Sequence, residues 1–147
     1  MATLNVDSRA YNGGVGGDTL IDVEQGDTII ISATGFWFAG DPGGAPGYGP
    51  DGGPTYDGSV IAPTINQGSL LGRIGTSGAW FKVGSTYEGI AALSGRLYLA
   101  INDAACCFAD NSGSLSADIE VKLLQRGPTD CECGIYAAAD ADEDGNG

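Results

Sequence analysis

The chain has 147 residues, a formal net charge of −13, only six lysines and arginines together, and no histidine. That balance argues against nucleic acid and against an anionic membrane surface, because both are held by clustered Lys and Arg. It also removes the usual general base and the commonest transition-metal ligand. The length suits one domain that buries about 70% of the unfolded chain's surface. No run of about eighteen apolar residues offers a membrane-spanning helix, so membrane insertion is not expected.

Glycine is abundant, at 26 residues, and no segment keeps an i, i+3, i+4, i+7 apolar pattern, which predicts many short strands rather than helices. Met1 to Asp7 has neither a basic n-region nor an apolar h-region. Either the chain is cytoplasmic as made or a signal has been removed. The expected strands begin with a weakly alternating edge strand at 3–9, and a second lies at 19–23. The strongest covers 28–35, where Ile29-Ile30-Ile31 suits burial on both faces. Phe36, Trp37, Phe38, Trp80 and Phe81 are expected in the core. A long loop then runs from about Ala39 to Gly68, rich in Pro and Gly and punctuated by Tyr48, Tyr56, Asp41, Asp51 and Asp57. A loop of that length is often a binding loop. Further strands are expected at 69–75, 79–83, weakly at 87–93, at 95–101 and at 114–123. About eight short antiparallel strands predict an all-β, jelly-roll-like β-sandwich over residues 1–124.

Between the last two strands the chain reads Asn102-Asp103-Ala104-Ala105-Cys106-Cys107-Phe108-Ala109-Asp110-Asn111-Ser112-Gly113. Two carboxylates and two carboxamides sit on one loop held at both ends by β-structure. Calcium takes about six to eight oxygens of these types, so this loop is a candidate Ca²⁺ site. Residues 125–147 form a separate acidic tail. In it, Asp140, Asp142, Asp144 and Asn146 match the opening of a calcium loop whose later bidentate acid is missing. The four cysteines, Cys106, Cys107, Cys131 and Cys133, allow three pairings or none.

An ordered set of motifs resembles the PA-IL-like galactophilic lectins. It runs Gln25-Gly26-Asp27-Thr28-Ile29-Ile30-Ile31, Ala33-Thr34-Gly35-Phe36-Trp37, Gly49-Pro50-Asp51-Gly52, and Ser69 through Gly75. It ends with Leu99-Ala100-Ile101-Asn102-Asp103 and Asp110-Asn111-Ser112-Gly113-Ser114-Leu115-Ser116. The resemblance implies a jelly-roll sandwich that binds galactose through one Ca²⁺ and is not an enzyme. Carried over position by position, it implies a metal shell of Asp103, Asp110 and Asn111 side chains with the backbone carbonyls of Cys107 and Ala39. The implied sugar contacts are Asp103, Ala104, Cys107 and Asp110. The family's His and Gln that touch the sugar's primary hydroxyl are absent; Tyr56 and Asp57 are the nearest equivalents. The family's ligand-loop Thr is replaced by Cys107, beside Cys106. A vicinal disulfide could stiffen the loop, or either sulfur could reach Cys131 or Cys133. The expected partners are galactosides or other glycans and further copies of the chain in a homo-oligomer, acting outside the cell. The competing expectation is a structural β-sandwich adhesin or filament module in which calcium only stiffens loops.

Overall fold

The computed structural model describes residues 2–9, 16–38, 47–53 and 59–124. Nine strands and no helix occur among them: β1 (Ala2–Asp7), β2 (Gly17–Val23), β3 (Thr28–Phe38), β4 (Gly47–Tyr48), β5 (Leu70–Ile74), β6 (Phe81–Lys82), β7 (Thr86–Ile90), β8 (Gly95–Ile101) and β9 (Ser112–Lys122). One sheet has the order β1-β9-β3-β4, with β7 also pairing β3; the other has the order β2-β8-β5-β6. Every named pair is antiparallel. Ile29, Ile31, Leu115 and Ala117 from the first sheet and Leu70, Ile74, Leu97 and Leu99 from the second share one buried cluster. The architecture is therefore the all-β sandwich that the strand count predicts.

The period of two along each strand decides what is inside. In β3 it buries Ile29, Ile31, Ala33 and Trp37 and turns the intervening residues outward. Two expectations are corrected by this alternation. Ile30 is only half-buried, because its cross-strand neighbours are Glu88 and Glu120 on the outer face. Phe36 is 54% exposed rather than core, and Phe38, Trp80 and Phe81 are half-buried. Phe36 and Phe38 meet edge to face on the outer side of β3, while Trp37 between them is fully buried.

The region from Ala39 to Gly68 is not structureless where it is described. β4 pairs with the end of β3, Asp51 bridges Ser69, and Val60 bridges Ala104. Tyr48 of β4 lies against the Trp37 ring at 5.2 Å, and the Trp37 indole Nε1–H donates to the Gly68 carbonyl at 3.0 Å. Asp51 accepts from the Ser85 backbone N–H and hydroxyl, both at 2.8 Å. The described parts of the loop are thus tied to the sandwich by polar bonds that no hydrophobic pattern reveals.

β2 carries an irregularity between Asp18 and Asp22 where it faces β8. Leu20 in that bulge has φ of 62° and is 78% exposed. Arg96 on β8 ties the bulge from both sides through Asp18 and Asp22.

Candidate functional site

β8 ends at Ile101, and the next residue, Asn102, is fully buried. Its carboxamide acts as a clamp. Oδ1 accepts from the Ala62 N–H, and Nδ2 donates to the carbonyls of Ala62, Ile65 and Asn66. The Asn102 backbone exchanges bonds with Ser69 and Gly68. This one residue therefore fixes the segment 62–69 against the start of the candidate loop. Its role was not read from the sequence, where it stands only as part of a motif.

Asp103 follows, with its carbonyl accepting from the Ile61 N–H at 3.0 Å. The residue is 6% exposed. Its Oδ1 accepts from the Ala104 N–H at 2.8 Å and its Oδ2 from Asn111 Nδ2 at 2.9 Å. The two predicted ligands Asp103 and Asn111, eight positions apart, are thus brought into direct contact. Between them Ala104 bridges Val60. A turn closes by the Cys107 N–H donating to the Ala104 carbonyl at 2.9 Å. Cys106 and Cys107 are joined to each other as a vicinal disulfide, one of the alternatives open in the sequence. Phe108 is buried in the core and anchors the far side of the loop, and the Asn111 N–H donates to its carbonyl at 3.1 Å. Asp110 is exposed beside Asn111, and Cys107 and Ala104 are half-buried.

Asn111 is the most informative side chain. It is 4% exposed. Its Nδ2 donates both to Asp103 Oδ2 and to the Ser8 carbonyl, at 2.9 and 3.0 Å. Two acceptors around one end of the amide fix its orientation, since a flipped amide would set oxygen against oxygen on both sides. Its Oδ1 consequently points the other way and, although buried, has no hydrogen-bond partner among the described residues. A buried carbonyl oxygen without a donor costs about 1–3 kcal/mol, and a cation ligated there would satisfy it. The donor set is right for a hard ion: carboxylate and amide oxygens and backbone carbonyls, with no histidine in the chain. Among the described residues no three His, Cys, Asp or Glu side chains gather at one point, so such an ion would draw on amide and backbone oxygens beside the carboxylates.

Ser8 is a positioning residue that the sequence did not disclose. It is buried, and its N–H and hydroxyl both donate to the Gly113 carbonyl while its own carbonyl receives Asn111. Gly113 has φ of 86°, and a Cβ there would lie 2.8 Å from the Phe36 carbonyl, so glycine is required at this close approach. Tyr48 also borders the site: burial first, and then the negative charge of Asp103, push its phenol above the usual range.

Ala39, Tyr56, Asp57, Cys131, Cys133, Asp140, Asp142, Asp144 and Asn146 lie outside the described residues, as does the expected tail. The flanks of two of these segments are informative. The last rung of the β3–β9 ladder is Phe38 opposite Ser112, the residue after Asn111. The segment holding Tyr56 and Asp57 re-enters the described structure before Val60, which bridges Ala104 on the candidate loop.

A solved structure similar to this chain is the EclA N-terminal domain, a PllA-like lectin. It aligns with a TM-score of 0.65 and 24% identity over 83% of this chain and 97% of that one; likeness at that identity shows the fold. No curated protein matches the chain significantly in sequence. The family model described as PA-IL-like protein matches residues 5–123, from within the first strand to just past the last. With the match spanning most of its length, the chain belongs to the PA-IL-like family.

Proposed function

We propose that this protein is a calcium-dependent lectin for galactose-type sugars and has no catalytic role. Family membership and fold support a lectin. The observation that carries the calcium reading is the buried, unpartnered Asn111 Oδ1, held beside Asp103 by an amide whose other end is fully engaged. The Asp103, Asp110 and Asn111 side chains would hold the ion, together with the carbonyls of Cys107 and Ala39. When bound, calcium supplies open coordination positions that two vicinal sugar hydroxyls can fill together. The chain's own carboxylates would accept hydrogen bonds from those hydroxyls. Charge-assisted bonds of that kind are roughly twice as strong as neutral ones.

Asp103 and Asp110 would be committed to ion and sugar, and two carboxylates on one loop do not frame the cleft that a glycosidase uses. Tyr56 and Asp57 supply the remaining sugar contacts in this reading, because their segment leads into Val60 at the loop. Action outside the cell, assembly into a homo-oligomer and a separate acidic segment over 125–147 belong to the same proposal. A glycan array read with calcium and again with chelator tests it. Galactoside binding that is lost on chelation and restored by calcium is the expected result. Binding that survives chelation refutes the calcium-bridged mechanism. Calcium uptake with no glycan bound refutes the lectin reading in favour of a structural module with calcium-stiffened loops.

A further inference from the structure

We infer that the Cys106–Cys107 disulfide is a positioning element of the candidate calcium loop, pre-forming the backbone around the Cys107 carbonyl, so that its reduction weakens calcium binding. This rests on the calcium reading above. The loop is anchored at its two ends, by the Val60–Ala104 bridge and by burial of Phe108. Between these anchors Ala105 and Cys106 are exposed, and a backbone bond from the Cys107 N–H to the Ala104 carbonyl closes the turn. No core contact is available to exposed residues, so the covalent link supplies the restraint that packing does not.

The bond joins neighbours in the chain, with a sequence separation of 1. Cross-links stabilise a fold chiefly by shortening the loops open to the unfolded chain, and the effect grows with loop length. A link between adjacent residues closes almost none of the chain and does little for global stability. Its effect is local. The small ring through both Cα atoms, the intervening peptide and the two sulfurs takes the ψ of Cys106 and the φ of Cys107 out of free rotation. The restrained φ of Cys107 sets where its Cα stands, and so the base of the carbonyl proposed as a ligand, while that carbonyl's own rotation about ψ of Cys107 lies outside the ring. An ion binding to the oxidised loop therefore meets a backbone already ordered. After reduction the same ordering opposes binding, at the scale of fixing about one residue's backbone, or roughly five- to thirtyfold in affinity.

Cys106 is exposed, so a soluble reductant can reach the bond. With dithiothreitol, the S–S bond takes two electrons and two protons to give two thiols, while the reductant closes to its own cyclic disulfide. The test uses the full chain with Cys131→Ser and Cys133→Ser, which leaves Cys106 and Cys107 as the cysteines present. Calcium chloride affinity is measured by calorimetry before and after reduction, with thiols counted. Amide exchange of residues 104–110 is followed in calcium-free protein. The expected result is two new thiols, an affinity lower by roughly five- to thirtyfold, faster exchange confined to the loop and an unchanged global unfolding midpoint. Cys106→Ser with Cys107→Ser in the same background should match the reduced protein and ignore reductant. Undiminished affinity with both thiols released overturns this inference alone. Absence of calcium binding in the oxidised protein overturns the calcium reading and this one with it.

Discussion

Asn111→Asp separates the two ends of the site's central amide. In the parent, Nδ2 donates to the Ser8 carbonyl and to the Asp103 carboxylate. A neutral bond contributes about 1 kcal/mol and one to a charged partner about 1.5–3 kcal/mol. The substitution replaces that donor by an oxygen facing both acceptors in a buried position, so the calcium-free protein should lose about 2.5–4 kcal/mol. For a domain of this size that corresponds to a fall in Tm of about 8–15 °C. Calcium should act oppositely on the two proteins' difference. A ligand at about 100 times its Kd adds about 2.7 kcal/mol to stability, and a third carboxylate strengthens the shell while the ion relieves the repulsion. The gap between variant and parent should therefore narrow in calcium. Thermal unfolding followed by circular dichroism, first in chelator and then across a calcium titration, checks both halves. A variant that melts with the parent in chelator refutes the placement of Nδ2; a gap that stays constant through the titration refutes ligation by Asn111.

Asn102→Ala should cost more than about 3 kcal/mol by denaturant titration, because it strands the Ala62 N–H and three carbonyls, and it should expose the 59–69 segment to proteases. The Asp51 carboxyl lies below its ordinary range because it accepts the Ser85 backbone N–H and then the Ser85 hydroxyl. A folded value below the unfolded one means stability that is present above about pH 4 and lost as pH falls through the lowered folded value. The stability difference between the parent and Asp51→Asn should accordingly shrink in acid, and a difference that is flat from about pH 6 to about pH 2 would contradict the assignment. Leu20→Asn should stabilise by about 0.5–1 kcal/mol, since an exposed leucine at φ of 62° carries left-handed strain that asparagine tolerates. Equal or lower stability in denaturant titration would show that the Asp18–Asp22 bulge depends on the leucine itself.

The strand framework was legible because period-two alternation is local. Ile29 and Ile31, Leu97 and Leu99, and Leu115 and Ala117 each announce an inward face. The same rule, applied strictly, turns Phe36 outward, because Trp37 beside it occupies the inward position. β4 escaped notice because two residues carry no periodicity, and it exists through its pairing with Trp37 and Phe38. The candidate loop was legible as a spacing of acids and amides. What orders it was not. The Ser8 carbonyl reaches Asn111 across 103 positions, and Asn102 clamps backbone carbonyls that have no side-chain signature. Long-range polar contacts to the main chain leave no trace in residue type, so the support of the site is the part that only three dimensions disclose.

The meeting of Ser8 with Asn111 and Gly113 also sets a timetable. β1 pairs with β9, and Asn111 takes its orientation from a residue just beyond β1. The candidate site is therefore assembled from opposite ends of the sandwich's sequence, and contacts of such separation form slowly because long-loop closure precedes their gain. During synthesis most of the core strands leave the ribosome before the strand that follows Asn111. The candidate site should therefore become complete only late in biogenesis, with the last strand's docking.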